Sequence, residues 1–182
     1  MARTWLSIRV DLVSGHGGDL WPRPGRVLAA ARSHSFAQLA ESIDDAFARW
    51  DRAHLHLFTM ADNTPITPLD WWDGEPPDEA VDGRTTKLSR LQPGEKFAYV
   101  FDLGDYWAHL CTVGDTRIDP LDELGTIPNQ PTPFWGWGQI PDQYARAWDG
   151  DDGESAGPKP PRPELSDLPP ILPGWGNQRR RG

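Results

Sequence analysis

Three of the five histidines of this 182-residue chain fall in two short blocks with closely spaced acids. His54 and His56 stand two apart, and His109 follows Asp102 and Asp105. On a strand, positions 54 and 56 point to one side. Two imidazoles so spaced can ligate one metal, and a third from a neighbouring strand, with a carboxylate, completes a set suited to Zn or Fe. Such a site is catalytic if one position stays open to water, with Asp102 or Asp105 as base or orienter. The same residues also admit general acid–base use without a metal, and a structural reading. In the latter, His54 closes the preceding helix where a cation suits its dipole, and His56 and His109 are hydrogen-bonded core residues. Asp102 and Asp105 then hold a turn through side-chain-to-backbone bonds.

A second set is aromatic: Trp71, Trp72, Phe134, Trp135, Trp137 and Trp148, with Trp107 beside His109 as a further binding candidate. Tryptophans bracketed by Pro and Gly can form a stacking platform for a base, a sugar or a Pro-rich peptide. They can equally fold back as lids on a small core. Seven prolines between Pro158 and Pro173 form a stretch that is either a polyproline ligand for such aromatics or a solvated linker. The single cysteine, Cys111, precludes an internal disulfide and reads as a small core residue. Gly15-His16-Gly17-Gly18 lacks the Lys and the spacing of a phosphate loop, and no Gly-x-Ser-x-Gly elbow is present.

These residues need elements to position them. Trp5–Val13 alternates, with Leu6, Ile8, Val10 and Leu12 on one side, and reads as a half-buried strand. Arg26–Ala31 is a weaker second strand. A helix is predicted from Phe36 to about Trp50, with Phe36, Leu39, Ile43, Phe47 and Trp50 recurring at three- and four-residue steps. Ser35 caps it and Gln38 completes a capping box. Glu41, Asp44, Asp45 and Arg49 form its wet face. Ala53–Met60 is a strand, and Lys96–Phe101 and Tyr106–Val113 are the arms of a hairpin, with Gly104 taking positive φ in the turn. Its register is open by one residue, so His109 shares a face with either Tyr99 or Val100. Asn63–Thr86 reads as a long irregular stretch, Lys87–Leu91 as one helical turn, and Ile118–Leu124 as a short helical segment. Pro131–Trp137 reads as an aromatic loop, followed by a short helix burying Tyr144, Ala145 and Trp148.

The helix running into Asp51-Arg52-Ala53-His54-Leu55-His56-Leu57-Phe58, and then Phe97-Ala98-Tyr99-Val100-Phe101-Asp102-Leu103-Gly104-Asp105-Tyr106-Trp107-Ala108-His109, resemble the plasmid pRiA4b ORF-3-like family. Val100 and Leu103 depart from that pattern, which has Tyr and Phe there. Trp21-Pro22-Arg23-Pro24-Gly25-Arg26-Val27 is similar to the family's Trp-Arg-Arg-Val segment, and Gly136–Tyr144 to a C-terminal version found in a subset. The resemblance spans about residues 5 to 113. It implies an α+β domain with an antiparallel sheet, of a kind carried as passenger proteins by plasmids and insertion elements. Some members bear a resolvase-like label, but this chain has no clustered arginines of a serine-recombinase-like site.

Composition sets the class. With 18 basic and 27 acidic residues the net charge is −9, which argues against duplex nucleic acid as the main partner. The terminal Arg179–Arg181 run adds little affinity. No apolar run approaches the roughly 18 residues of a membrane helix, and no secretory leader is expected. The expected protein is cytoplasmic: an α+β domain over residues 1–150 and a Pro-rich tail over 151–182. One main helix packs across an antiparallel sheet. Two functions stay open. One is a binding or accessory module for an unknown protein or small-molecule ligand, with no certain cofactor. The other is a metal-dependent, hydrolytic enzyme using His54, His56 and His109.

Overall fold

The computed structural model describes residues 4–144 and 146. The sequence-based expectations for Ala145, Trp148, Pro158–Pro173, Arg179–Arg181 and the 151–182 tail lie outside them.

The chain opens with β1 (Leu6–Gly15), whose Leu6, Ile8, Val10 and Leu12 are all buried on one side. His16 and Gly17, with φ of 50° and 79°, turn it back into β2 (Gly18–Asp19). Two consecutive positive-φ residues match the right-handed twist of the strands they join. Next, β3 (Gly25–Ala30) lies antiparallel to β1, pairing Leu6 with Ala30. Helix α1 (Phe36–Ala46) follows, with the Ser35–Gln38 capping box in place. Then come β4 (His56–Thr59), β5 (Pro65–Thr67), a 3-10 turn at Leu69–Trp71, β6 (Val81–Asp82) and a second 3-10 turn at Leu88–Arg90. The hairpin arms are β7 (Lys96–Phe101) and β8 (Trp107–Val113), and α2 (Pro120–Leu124) and β9 (Thr132–Trp137) complete the described chain.

These nine strands form one sheet in the order β6-β5-β4-β7-β8-β1-β3-β9, with β2 paired to β1. The β5–β6 pair is parallel and the other pairs are antiparallel. The expected α+β class with a purely antiparallel sheet is therefore corrected: the described residues form mostly one large mixed sheet with a single main helix. The strands that the sequence hid are the two- and three-residue ones, too short to display a period of two. Also hidden was β9, whose Pro131-Thr132-Pro133 start carries loop composition.

Register decides what faces the helix. Phe58, Tyr99, His109 and Leu12 stand directly opposite one another across four strands, as do His56, Phe101 and Trp107 across three. The hairpin register is thus settled: His109 shares a face with Tyr99. Helix α1 closes this face. The Phe36 ring meets Phe58 at 5.2 Å and the Phe47 ring meets His109 at 4.9 Å. The hairpin turn differs from expectation, because its positive-φ residues are Asp102 and Tyr106, not Gly104. Asp102 tolerates that conformation because its Oδ1 accepts the backbone N–H groups of Gly104 and Asp105.

The helix itself is shorter than its periodicity. It ends at Ala46, and Trp50 is exposed rather than packed on the sheet. Two members of the expected wet face, Asp44 and Arg49, are buried. No helix among the described residues is long and apolar enough to cross a membrane.

Candidate functional site

A cleft of about 280 Å³ opens between α1, the start of β4 and the segment that the sequence left irregular. Ala37, Glu41 and Asp44, at helical spacings of four and three, supply one wall. His54, His56 and Phe101 supply the sheet side, and Pro68, Trp71, Gly83 and Arg84 the rim, with Arg52 beside them.

The adjacent tryptophans divide the work of the rim. Trp72 Nε1 donates to Thr67 Oγ1 at 3.0 Å, and Thr67 Oγ1 donates to the His56 carbonyl at 2.7 Å. Trp72 is therefore an anchor. The 3-10 turn leaves Trp71 55% exposed, with its ring centroid 6.3 Å from that of His56. Arg84 is fixed by Asp82 and Asp70. Arg52 is held by Asp45 and by the Arg49 carbonyl.

His54 is held on three sides. Its Nδ1 lies 3.4 Å from Asp102, while its Nε2 lies 2.7 Å from the Tyr144 hydroxyl and 3.4 Å from Asp51. Tyr144 donates to Asp51 at 2.7 Å, so Nε2 of His54 is the donor to the phenol oxygen. That bond, with the Ala53 N–H, holds the Asp51 carboxyl below the usual carboxylate range. Lost solvation and Asp51 push Tyr144 up to about 12. His56 makes ring contacts with Phe58, Trp71 and Tyr99, and burial pushes it down to about 4. It is therefore a neutral imidazole on the cleft wall. Burial pushes the Asp44 carboxyl up to about 7 even though Tyr99 donates to it at 2.8 Å.

The remaining candidates are elsewhere. His109 donates Nδ1–H to the Tyr99 carbonyl at 3.0 Å and is buried under Phe47. Burial first, then the nearby Arg49 charge, push it down to about 3. Among the described residues no group of three or more His, Cys, Asp or Glu side chains could hold a metal ion. His54 and His56 share the cleft, whereas His109 lies outside it under Phe47, so the trio is not gathered. Asp105 faces His16 at 3.3 Å and ties the hairpin turn to the β1–β2 turn. Trp107 is buried beside Arg49. Trp135 and Trp137 pair with Val27 and Gly25, which puts them on the sheet face opposite α1. There Trp137 donates to the Arg23 carbonyl and stacks under Arg9 at 4.5 Å. So His54, His56 and Trp71 come together at the cleft and Asp102 supports His54 from behind.

Sequence reasoning missed Asp44, Arg52 and Arg84 as cleft residues. The first lies on a helix stripe that reads as solvated, and the last sits in a stretch without periodicity. The Asp51–His54 spacing of three was the one available signal for the His54 cluster.

Among the described residues, fold and site together define a single sheet with one clasping helix and a small, aromatic-rimmed cleft. The chain belongs to the plasmid pRiA4b ORF-3-like protein family, whose model matches residues 18–128. A similar solved structure is that of a protein of unknown function from Methanosarcina mazei Go1. It has a TM-score of 0.57 and 18% sequence identity, covering 73% of this chain and 69% of that one. At that identity the likeness is one of fold. No functionally curated protein matches the chain.

Proposed function

We propose that the chain is a non-catalytic binding module that takes a small planar heteroaromatic ligand in the cleft under Trp71. The observation that carries this reading is the exposed Trp71 ring over a cleft of about 280 Å³ whose inner wall is the neutral His56 imidazole and the Asp44 carboxyl. A flat ring gains by stacking on the indole. Its polar edge finds a donor or acceptor on His56 and on Asp44. The volume lies at the lower end of small-molecule sites, so it suits a single ring system rather than a dinucleotide or a folded peptide. A metal-dependent hydrolase needs three ligands around one ion, and the separated histidines give that alternative less support.

The test is a calorimetric titration of the full chain with adenine, indole, imidazole and benzoate, one at a time. At least one heteroaromatic probe is expected to bind saturably, at about 1 mM or tighter. Trp71→Ala should abolish that binding, and Trp135→Ala, on the other face, should leave it intact. Absence of saturable binding for every probe, or equal binding by Trp71→Ala, would overturn the proposal.

A further inference from the structure

The C-terminus of α1 does something unusual with a charge. Ala48 adopts the left-handed conformation, with φ of 54°. Its N–H bonds to the Asp45 carbonyl, and the Arg49 N–H bonds to the Asp44 carbonyl. This closure turns the chain back under the helix, and Arg49 is left 2% exposed. Its guanidinium carbon lies 3.9 Å from the centre of the Trp107 ring. Nε and both terminal nitrogens of Arg49 have no hydrogen-bond partner among the described residues, and neither has the buried Trp107 Nε1. Asp44 and Asp142 act on Arg49 only through space, and Asp44 Oδ1 already accepts from Tyr99.

A guanidinium has five N–H donors and the indole one, and no acceptor among the described residues meets any of them. A buried cation in that state is costly unless a negative or strongly accepting group joins it. One atom beside the pair has the complementary need. His109 lies two residues beyond Trp107, on the same face of β8. Its Nδ1 donates to the Tyr99 carbonyl, so its Nε2 is a bare lone pair, also buried and unpartnered. Orphaned donors on Arg49 and Trp107 and an orphaned acceptor on His109, whose ring feels the Arg49 charge, match a small oxyanion that still carries a proton. Its oxygens accept from Arg49 and Trp107, and its O–H donates to His109.

We propose that Arg49, Trp107 and His109 form an internal receptor for a small protic oxyanion, of the class of hydrogen carbonate or dihydrogen phosphate. This site is separate from the cleft under Trp71, and neither proposal depends on the other.

The experiment is thermal denaturation of the full chain at constant pH and ionic strength, with chloride replaced stepwise by phosphate, by bicarbonate or by formate. A saturable rise in Tm with at least one protic oxyanion is expected, without an equivalent rise for formate. Trp107→Phe keeps an aromatic face for Arg49 and removes the N–H, so it should weaken the saturable effect about tenfold. Arg49→Met should abolish that effect and, in chloride alone, stabilise the protein by removing the unpaired charge. Should Arg49→Met fail to fold, Trp107→Phe carries the comparison. A Tm that does not saturate with any of these oxyanions would overturn the proposal, with internal water then serving the donors. So would a saturable rise of the same midpoint in wild type and Trp107→Phe.

Discussion

His56 and His109 are pushed below the ordinary 6.5 of histidine, to about 4 and about 3, because burial disfavours their charged forms. The unfolded chain therefore binds more protons than the folded one from about pH 6.5 down to about pH 4. Their contribution to stability is lost as pH falls through that window. Asp44 has the opposite sign. Its carboxyl is raised from 3.8 to about 7 by burial, so the folded chain holds a proton that the unfolded chain has released. The stability that Asp44 supports is lost as pH rises from about 4 to 7. Asp44→Asn keeps a carbonyl to accept from Tyr99 and removes the titration. Between pH 5 and pH 8, unfolding free energies from urea melts should show wild type losing about 3 kcal/mol relative to this variant. Parallel changes in the two proteins would contradict the assignment. The histidines carry a second prediction. Because His109 lies apart from His54 and His56 and no group of three ligands forms among the described residues, treatment with EDTA should leave Tm unchanged. A drop reversed by stoichiometric Zn would instead revive the metal reading.

At the scale of the element, α1 shows what a sequence can and cannot disclose. Its start was legible because Ser35 and Gln38 act through local hydrogen bonds. Its end was not. The apolar steps continue through Phe47 to Trp50, yet the chain leaves the helix after Ala46 through an alanine in the left-handed conformation. Glycine usually occupies that position, and nothing local marks Ala48 as the exit. The same turn carried Arg49 out of the expected wet face onto Trp107, and Asp44 was drawn inward by Tyr99, while Glu41 stays exposed. Ala48→Gly removes the steric cost of the left-handed backbone and should raise stability by about 0.5–1 kcal/mol in denaturant melts. A loss of stability would contradict the account of this helix end. Among the strands, β1, β7 and β8 were legible from clean alternation. By contrast, β5 and β6 are too short for any period, and β9 opens with Pro131-Thr132-Pro133.

At the scale of the molecule, one mixed sheet sorts the chemistry-bearing residues by face and by end. The face under α1 gathers His56, Tyr99, His109, Phe101 and Trp107, all through cross-strand register. Its opposite face carries Trp135 and Trp137. Among the described residues, the tryptophans singled out in the sequence are thus separate features: Trp71 at the rim, Trp107 buried under Arg49, and Trp135 and Trp137 on the outer face. The histidine blocks proved adjacent, but only His54 and His56 reach the cleft. Residue types were therefore readable from the chain, and their grouping was not, because grouping depends on a sheet order that joins β4 to β7 across nearly forty residues.

The most direct test of the cleft is a chemical-shift map of the full chain titrated with adenine. Saturable shifts are expected, centred on Ala37, His56, Trp71 and Arg84, with Trp135 and Trp137 unmoved. Shifts confined to the Trp135 and Trp137 face, or no saturable shift anywhere with adenine and then indole, would contradict that expectation.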